Sequence, residues 1–235
     1  MTIEGKTLVV TGGFGALGSA VAEAAIQRGA SVAALDYAPA APVGLADRLG
    51  PKALVTGSLD LSLPHAAQRA MAEVSTRFGR IDALLNIAGG FRWEKIVDAA
   101  SVESWDKMFA INLKTALNAS RAALPYLAES GGGRIVNVGA QSADHAAEGF
   151  GPYAASKAAV HRLTESLADE LKLKGVTVNA VLPSIIDTPA NRADMPDADF
   201  GRWVSPADLA SVILFLASDE ARAVTGALIP VTGRV

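Results

Sequence analysis

Along the chain, short aliphatic and β-branched runs alternate with longer stretches in which apolar residues recur at three- and four-residue spacing. The runs at 6–10, 31–35, 53–55, 81–87, 134–138, 176–182 and 228–231 predict strands, almost continuously apolar, as expected where both faces of a parallel sheet are covered. Between them, 16–28, 64–78, 102–127, 152–172 and 206–217 predict helices. Ser205 before Pro206 reads as a helix start, and Gly29, Gly79 and Gly175 stand where helices should stop. This alternation predicts an α/β fold, a Rossmann-type doubly wound parallel sheet of about seven strands with helices on both faces. No repeat, charge block or linker divides the chain, so 1–235 reads as a single domain. The irregular stretch 184–204, broken by Pro189 and Pro196 and carrying Trp203, has the length of a substrate lid.

Composition narrows the function classes. Half of the residues are hydrophobic and 19% charged, a balance that excludes disorder. A net charge of −3 offers no electrostatic footprint for nucleic acid or an anionic membrane. The lack of cysteine excludes disulfides, thiolate catalysis and cysteine-ligated metals, and fits a cytoplasmic setting. Residues 1–10 run straight into a strand without a leader pattern, which predicts a soluble, unsecreted protein. His65, His145 and His161 lack metal-ligand spacing; they read as surface or half-buried helix residues, with no metal site expected.

Two constellations carry chemistry. After the first strand comes Thr11-Gly12-Gly13-Phe14-Gly15-Ala16-Leu17-Gly18, with a Gly-x-Gly-x-x-Gly match in Gly13, Gly15 and Gly18. Such a loop lets backbone N–H groups approach a pyrophosphate at a helix N-terminus. Asp36, at the end of the second strand, can accept both hydroxyls of an adenosine ribose and would repel a 2′-phosphate. Neither Phe14 nor Tyr37 supplies a compensating cation, so NAD(H) is expected in preference to NADP(H). An ordinary strand-to-helix turn is the bland alternative for the glycines, and a turn residue for Asp36. The second constellation is Tyr153-Ala154-Ala155-Ser156-Lys157, which puts Tyr153 and Lys157 on one helix face. An ammonium beside the phenol would lower its pKa from about 10 toward the working range of an acid/base.

Together with Asp60 after the third strand, Asn86-Ile87-Ala88-Gly89, Asn112 in Ile111-Asn112-Leu113, Pro183 with Thr188, and Val224-Thr225-Gly226, these motifs resemble the short-chain dehydrogenase/reductase family over practically the whole chain. The resemblance implies Tyr153 as acid/base, Lys157 bonding the nicotinamide ribose, Asn112 holding a relay water, Asp60 at the adenine and Thr188 at the carboxamide. It extends the cofactor set to Gly12, Phe14, Gly15, Ala16, Leu17 and Gly18 around the loop. Leu61 joins beside Asp60, then Asn86, Ala88 and Gly89, and finally Pro183 and Ile186. It also implies a homodimer or homotetramer, for which the alanine-rich helix of Ala154, Ala155, Ala158 and Ala159 is suited.

Two positions depart from the family pattern. Thirteen residues before the tyrosine, where most members carry a serine that bonds the substrate carbonyl, stands Ala140. Ser142 either substitutes for it or is a plain loop serine. Ala16 replaces the middle glycine of the classical subgroup. Both departures resemble the dihydropteridine reductase subgroup, as do Ala88-Gly89-Gly90, Val181-Leu182-Pro183 and Asp187-Thr188-Pro189. The likeness continues through Asn191-Arg192, Met195-Pro196, Ala198-Asp199-Phe200 and Trp203, whereas Asn112 follows the wider family and Phe91-Arg92-Trp93 follows neither.

The sequence therefore predicts an NAD(H)-dependent oxidoreductase acting on a small carbonyl or quinonoid substrate, dihydropteridine reductase-like. The alternatives are a conventional alcohol dehydrogenase or ketoreductase using Ser142 and, from another class, a non-catalytic dinucleotide sensor. Phe91, Trp93, Phe150 and Trp203 either form a flat slot for a ring or belong to the core and contacts.

Overall fold

A computed structural model describes residues 2–97 and 102–235; Met1, at the head of the segment read for a leader, lies outside them. β1 (Thr7–Thr11), β2 (Ser31–Leu35), β3 (Ala53–Thr56), β4 (Ala83–Asn86), β5 (Arg134–Val138), β6 (Thr177–Pro183) and β7 (Leu228–Val231) form one parallel sheet. Their order is β3-β2-β1-β4-β5-β6-β7. The helices are α1 (Ala16–Gln27), α2 (Leu45–Leu49), α3 (Pro64–Phe78), α4 (Val102–Met108), α5 (Thr115–Glu129), α6 (Gly151–Leu171), α7 (Pro189–Asp194) and α8 (Pro206–Leu216). Strand side chains alternate between faces, so the sheet builds two cores. Leu8, Val10, Val32 and Leu85 pack with Val21 of α1 and Ile213 of α8. Val9, Ala33, Leu84 and Ile135 pack with Met71 of α3, Leu127 of α5 and Leu167 of α6.

Because the chain turns from β3 at one edge back to β4 beside β1, the strand order reverses next to β1. Ligands of such sheets bind in the crevice at the carboxyl ends of the strands on either side of that reversal.

The structure departs from the sequence pattern in several places, among them the unpredicted α2. The predicted helix 102–127 is broken into α4 and α5 by a π-helical turn, Phe109–Lys114, centred on Asn112. The stretch 184–204 is not structureless: it holds α7, a 3₁₀ turn at Phe200–Arg202 and a parallel bridge between Ile186 and Val204. Trp203 is buried against Phe200, ring centres 4.8 Å apart, because a large ring gains more from a closed apolar seat than from solvent. His161, expected on the surface or half-buried, is only 2% exposed. No helix among the described residues is long and apolar enough to cross a membrane.

Candidate active site

A cleft of about 1450 Å³ opens at the carboxyl ends of β1, β2, β4, β5 and β6. A small-molecule pocket is typically ~300–1,000 Å³. This cleft therefore has room for a dinucleotide with a substrate beside it.

Its first wall is the loop between β1 and α1. Gly12 has φ +67, and a Cβ there would lie 2.8 Å from the Ala88 nitrogen; one on Gly18 would lie 2.0 Å from the Gly12 oxygen. These two glycines are demanded by the protein's own packing. Gly15 differs: a Cβ on it would meet only the Gly12 oxygen, at 3.5 Å, and its open side faces the cleft. Gly15 caps α1 without a side chain, so the first turn of the helix, where Ala16, Leu17 and Gly18 line the cleft, turns its N–H groups toward the opening. A bare backbone facing an uncapped helix start is a cradle that fits a pyrophosphate.

Asp36 lies one residue beyond β2, lining the cleft. Its carboxylate accepts from the Phe14 nitrogen and the Ala38 nitrogen, both at 2.9 Å, one bond per oxygen. Lone pairs remain on each oxygen for a diol, and the first bond ties the acid to the glycine loop. Asp60 and Leu61 also line the cleft, with Asp60 held by the Ser62 nitrogen at 2.9 Å and the Ser62 hydroxyl at 2.6 Å. Ala88 and Gly89 follow β4 along the floor. Thr11, which pattern reading passed over, supports them: its hydroxyl accepts from the Ile87 and Ala88 nitrogens, both at 3.1 Å. Asn86 does not reach the cleft. It is buried behind it, donating to Asn137 Oδ1 at 2.8 Å and Ser120 Oγ at 3.1 Å, so its place in the cofactor set gives way to a role inside the sheet.

The chemical end is built on α6. Tyr153 and Lys157 line the cleft one turn apart. Phe91 meets the Tyr153 ring edge-on at 4.9 Å, and Phe150 stands 6.2 Å away. Burial pushes the phenol up to about 12 and the ammonium down to about 8. The expected lowering of the phenol by its neighbour is thus overturned: desolvation dominates, and Lys157 Nζ is engaged with the Val138 carbonyl at 2.8 Å. Tyr153 is therefore protonated at neutral pH and equipped to donate. Asn112 lies behind the cleft surface. The π-turn lets its amide bond both backbone groups of Gly90, accepting from the nitrogen at 2.9 Å and donating to the oxygen at 3.1 Å, while also donating to Ser156 Oγ at 2.9 Å. Ser156 Oγ in turn donates to the Tyr153 carbonyl at 2.7 Å, linking Asn112 to the acid's own backbone. Gly89 is required here, since a Cβ would sit 2.6 Å from Asn112 Oδ1.

Beside Tyr153 the cleft has two unlike walls. Phe91 and Phe150, with ring centres 5.0 Å apart, form the apolar one; Gln141, Ser142 and His145 line the other, with Ala140 between β5 and that turn. Ser142 is thus brought to the site, while Trp93 packs outside it against Gly149 and beneath Lys95, and Trp203 is core. Of the four aromatic candidates, two face the cleft. Pro183, Ile186 and Thr188 close the far side. Thr188 caps α7 by accepting from the Asn191 nitrogen at 3.2 Å, and Asn191 Nδ2 donates to the Ile186 carbonyl at 2.7 Å.

A cleft pairing a dinucleotide cradle with a half-buried tyrosine and a buried lysine defines a Rossmann-type oxidoreductase. The short chain dehydrogenase family profile matches residues 6–199, and the chain belongs to that family. It is 34% identical over 248 positions to the 3-oxoacyl-(acyl-carrier-protein) reductase FabG of Thermotoga maritima, covering 99% of this chain and 98% of the relative. The D-threitol dehydrogenase of Mycolicibacterium smegmatis is also 34% identical, over 98% of this chain and 93% of that protein. A 3-ketoacyl-(acyl-carrier-protein) reductase from Brucella melitensis, solved with NADH, superposes with a TM-score of 0.90 at 27% identity over 99% of both chains. The protein is therefore an enzyme, an NAD(P)-dependent oxidoreductase, and the sensor reading falls. Neither relative is a dihydropteridine reductase, so the narrower resemblance finds no support in them.

Proposed function

We propose that the enzyme is an NAD(H)-dependent reductase of small carbonyl compounds, with Tyr153 as proton donor and Ser142 as the second hydrogen-bond donor to the substrate oxygen. The observation that carries this reading is the meeting, in one cleft, of the uncapped α1 start and Asp36 with Tyr153 and Lys157. The glycine loop, Asp36, Asp60, Leu61, Ala88, Gly89, Pro183, Ile186 and Thr188 would hold the dinucleotide, which supplies or takes the hydride when bound. Asp36 favours a ribose diol over a 2′-phosphate, hence NAD(H) over NADP(H).

The chain's own residues then handle the oxygen. Tyr153 donates its phenolic proton as negative charge develops there, and Lys157, buried one turn along the same helix, opposes the charge left on the phenol. Asn112, through Gly90 and Ser156, keeps the floor loop and α6 in register. The stretch 184–204 acts as the lid, and the working form is a cytoplasmic homodimer or homotetramer, checked by sedimentation.

A second reading is favoured by one observation: the Ala140 side chain carries no donor, while Phe91 and Phe150 give the cleft an aromatic wall. A quinonoid acceptor of the dihydropterin kind needs less oxyanion stabilisation and suits such a wall. Steady-state NADH oxidation against ketones, 3-oxoacyl thioesters and quinonoid dihydropterin, with wild type and Ser142→Ala, separates the two. A loss of ~100-fold or more in ketone turnover on Ser142→Ala supports the carbonyl reading. Indifference to the substitution, with pterin the preferred acceptor, supports the quinonoid one.

A further inference from the structure

One stripe of α6 reads the end of β5 residue by residue. Thr164 Oγ1 accepts from Asn137 Nδ2 at 2.8 Å, and Lys157 donates to the Val138 carbonyl at 2.8 Å. The Gly139 nitrogen is taken by the Val181 carbonyl of β6 at 2.9 Å. The next group, the Ala140 N–H, goes to His161 Nε2 at 3.4 Å. His161 stands one turn beyond Lys157 and is almost wholly buried. The chain passes flush against its ring, since a Cβ on Gly139 would lie 2.5 Å from Nε2. From Ala140 the backbone turns at once: the Ala143 nitrogen donates to the Ala140 carbonyl at 3.1 Å, closing the turn that carries Ser142. The far end of that turn returns to the same imidazole, with Asp144 Oδ1 at 3.6 Å from Nδ1.

We infer that His161 is a positioning residue, which holds the 140–144 turn, and with it Ser142, in register with Tyr153 as long as its ring is neutral. Accepting the Ala140 N–H requires an unprotonated Nε2, which puts the ring proton on Nδ1, toward Asp144. Protonation would set two donors, Nε2–H and the Ala140 N–H, against each other and release the turn. The charges around the ring are Asp144 and Glu165, which favour protonation, and Lys157 and Arg162, which oppose it; burial, the largest influence, opposes it too. The neutral ring therefore persists below the usual histidine range, and turnover falls only as pH drops through that lowered value.

The inference rests on Tyr153 as proton donor and Ser142 as a substrate contact, and its test separates the two failures. Turnover and NADH affinity are measured between acid and neutral pH for wild type, His161→Leu, His161→Gln and Asp144→Asn. His161→Leu keeps bulk but leaves the Ala140 N–H unpaired. It is expected to lower turnover roughly tenfold or more at pH values above the wild-type acid limb, with NADH affinity unchanged. His161→Gln, whose amide oxygen can accept the same N–H, should recover most of that loss and abolish the acid limb. Asp144→Asn changes an exposed side chain, and should move the acid limb to lower pH. A wild-type acid limb that persists unmoved in His161→Gln and Asp144→Asn overturns the inference, as does full turnover in His161→Leu. If instead Tyr153→Phe keeps full activity, it is the reading of the site that fails.

Discussion

The β1–β2 half of the cleft is shaped by backbone, whereas the β5–α6 half is shaped by side chains, and the two respond differently to substitution. In the first half, Gly12 and Gly18 let main chain touch main chain, and a helix start is left without a side-chain cap. Asp36 stands at its rim and is bonded to the loop itself. In the second half, Lys157, Asn112, Ser156 and His161 each hold a backbone group or one another. Binding a dinucleotide needs a fixed surface of donors; moving a proton needs groups whose ionisation the protein controls.

The largest effect should come from the second half. Tyr153→Phe removes the proton donor and is expected to cost on the order of 10³-fold in carbonyl turnover while NADH binding, followed by fluorescence titration, stays within about twofold. Should binding and turnover fall together, the division between the halves is wrong.

The glycine loop sharpens the comparison from the other side. Gly18→Ala forces a Cβ onto backbone and should destabilise the fold by about 3 kcal/mol or more in denaturant unfolding. Gly15→Ala leaves stability within about 1 kcal/mol. It should nonetheless weaken NADH binding roughly tenfold or more, because the Cβ enters the cradle. Equal effects of the two on stability would mean that Gly15 is a plain turn residue.

Lys157→Met sets function against stability. Holding a buried ammonium near pKa 8 rather than 10.5 costs on the order of 3 kcal/mol at neutral pH. The lost bond to Val138 offsets part of this, so the variant should be inactive yet about 1–2 kcal/mol more stable at pH 7. Between about pH 8 and 10.5 the unfolded chain of the wild type binds the proton that the folded one has released, so wild-type stability rises and the variant's advantage shrinks. Unfolding curves at pH 7 and 10 read this; an advantage that grows with pH would contradict the assignment.

The smallest effect belongs to Asp36→Ser, which should narrow the preference for NADH over NADPH in kcat/KM roughly tenfold by removing the repulsion of a 2′-phosphate. An unchanged ratio places the discrimination elsewhere.

How much was legible in the sequence follows the same division. The strands were, to within a residue or two, because buried parallel strands are continuous apolar runs. The glycine loop was, because its geometry depends on local residue type. Tyr153 and Lys157 were legible as i, i+4 neighbours, but not the ionisation of the phenol, which follows from burial in the folded cleft, where Phe91 reaches the ring from the segment after β4. Asn112 was legible through its motif, while the π-turn that aims it was not, since helical spacing runs across it unbroken. Asn86 was misplaced because position in a motif does not tell which side of the sheet a side chain takes. Trp203 was left open between slot and core, and the structure puts it in the core, because nothing local distinguishes a ring that lines a cleft from one that plugs a core.

The most direct test of the central claim is the initial rate of NADH oxidation by the wild-type enzyme across a panel of ketones, 3-oxoacyl thioesters and quinonoid dihydropterin. The account predicts turnover of at least one carbonyl compound, faster with NADH than with NADPH. Oxidation of NADH by the quinonoid acceptor alone, or by none of them, would contradict it.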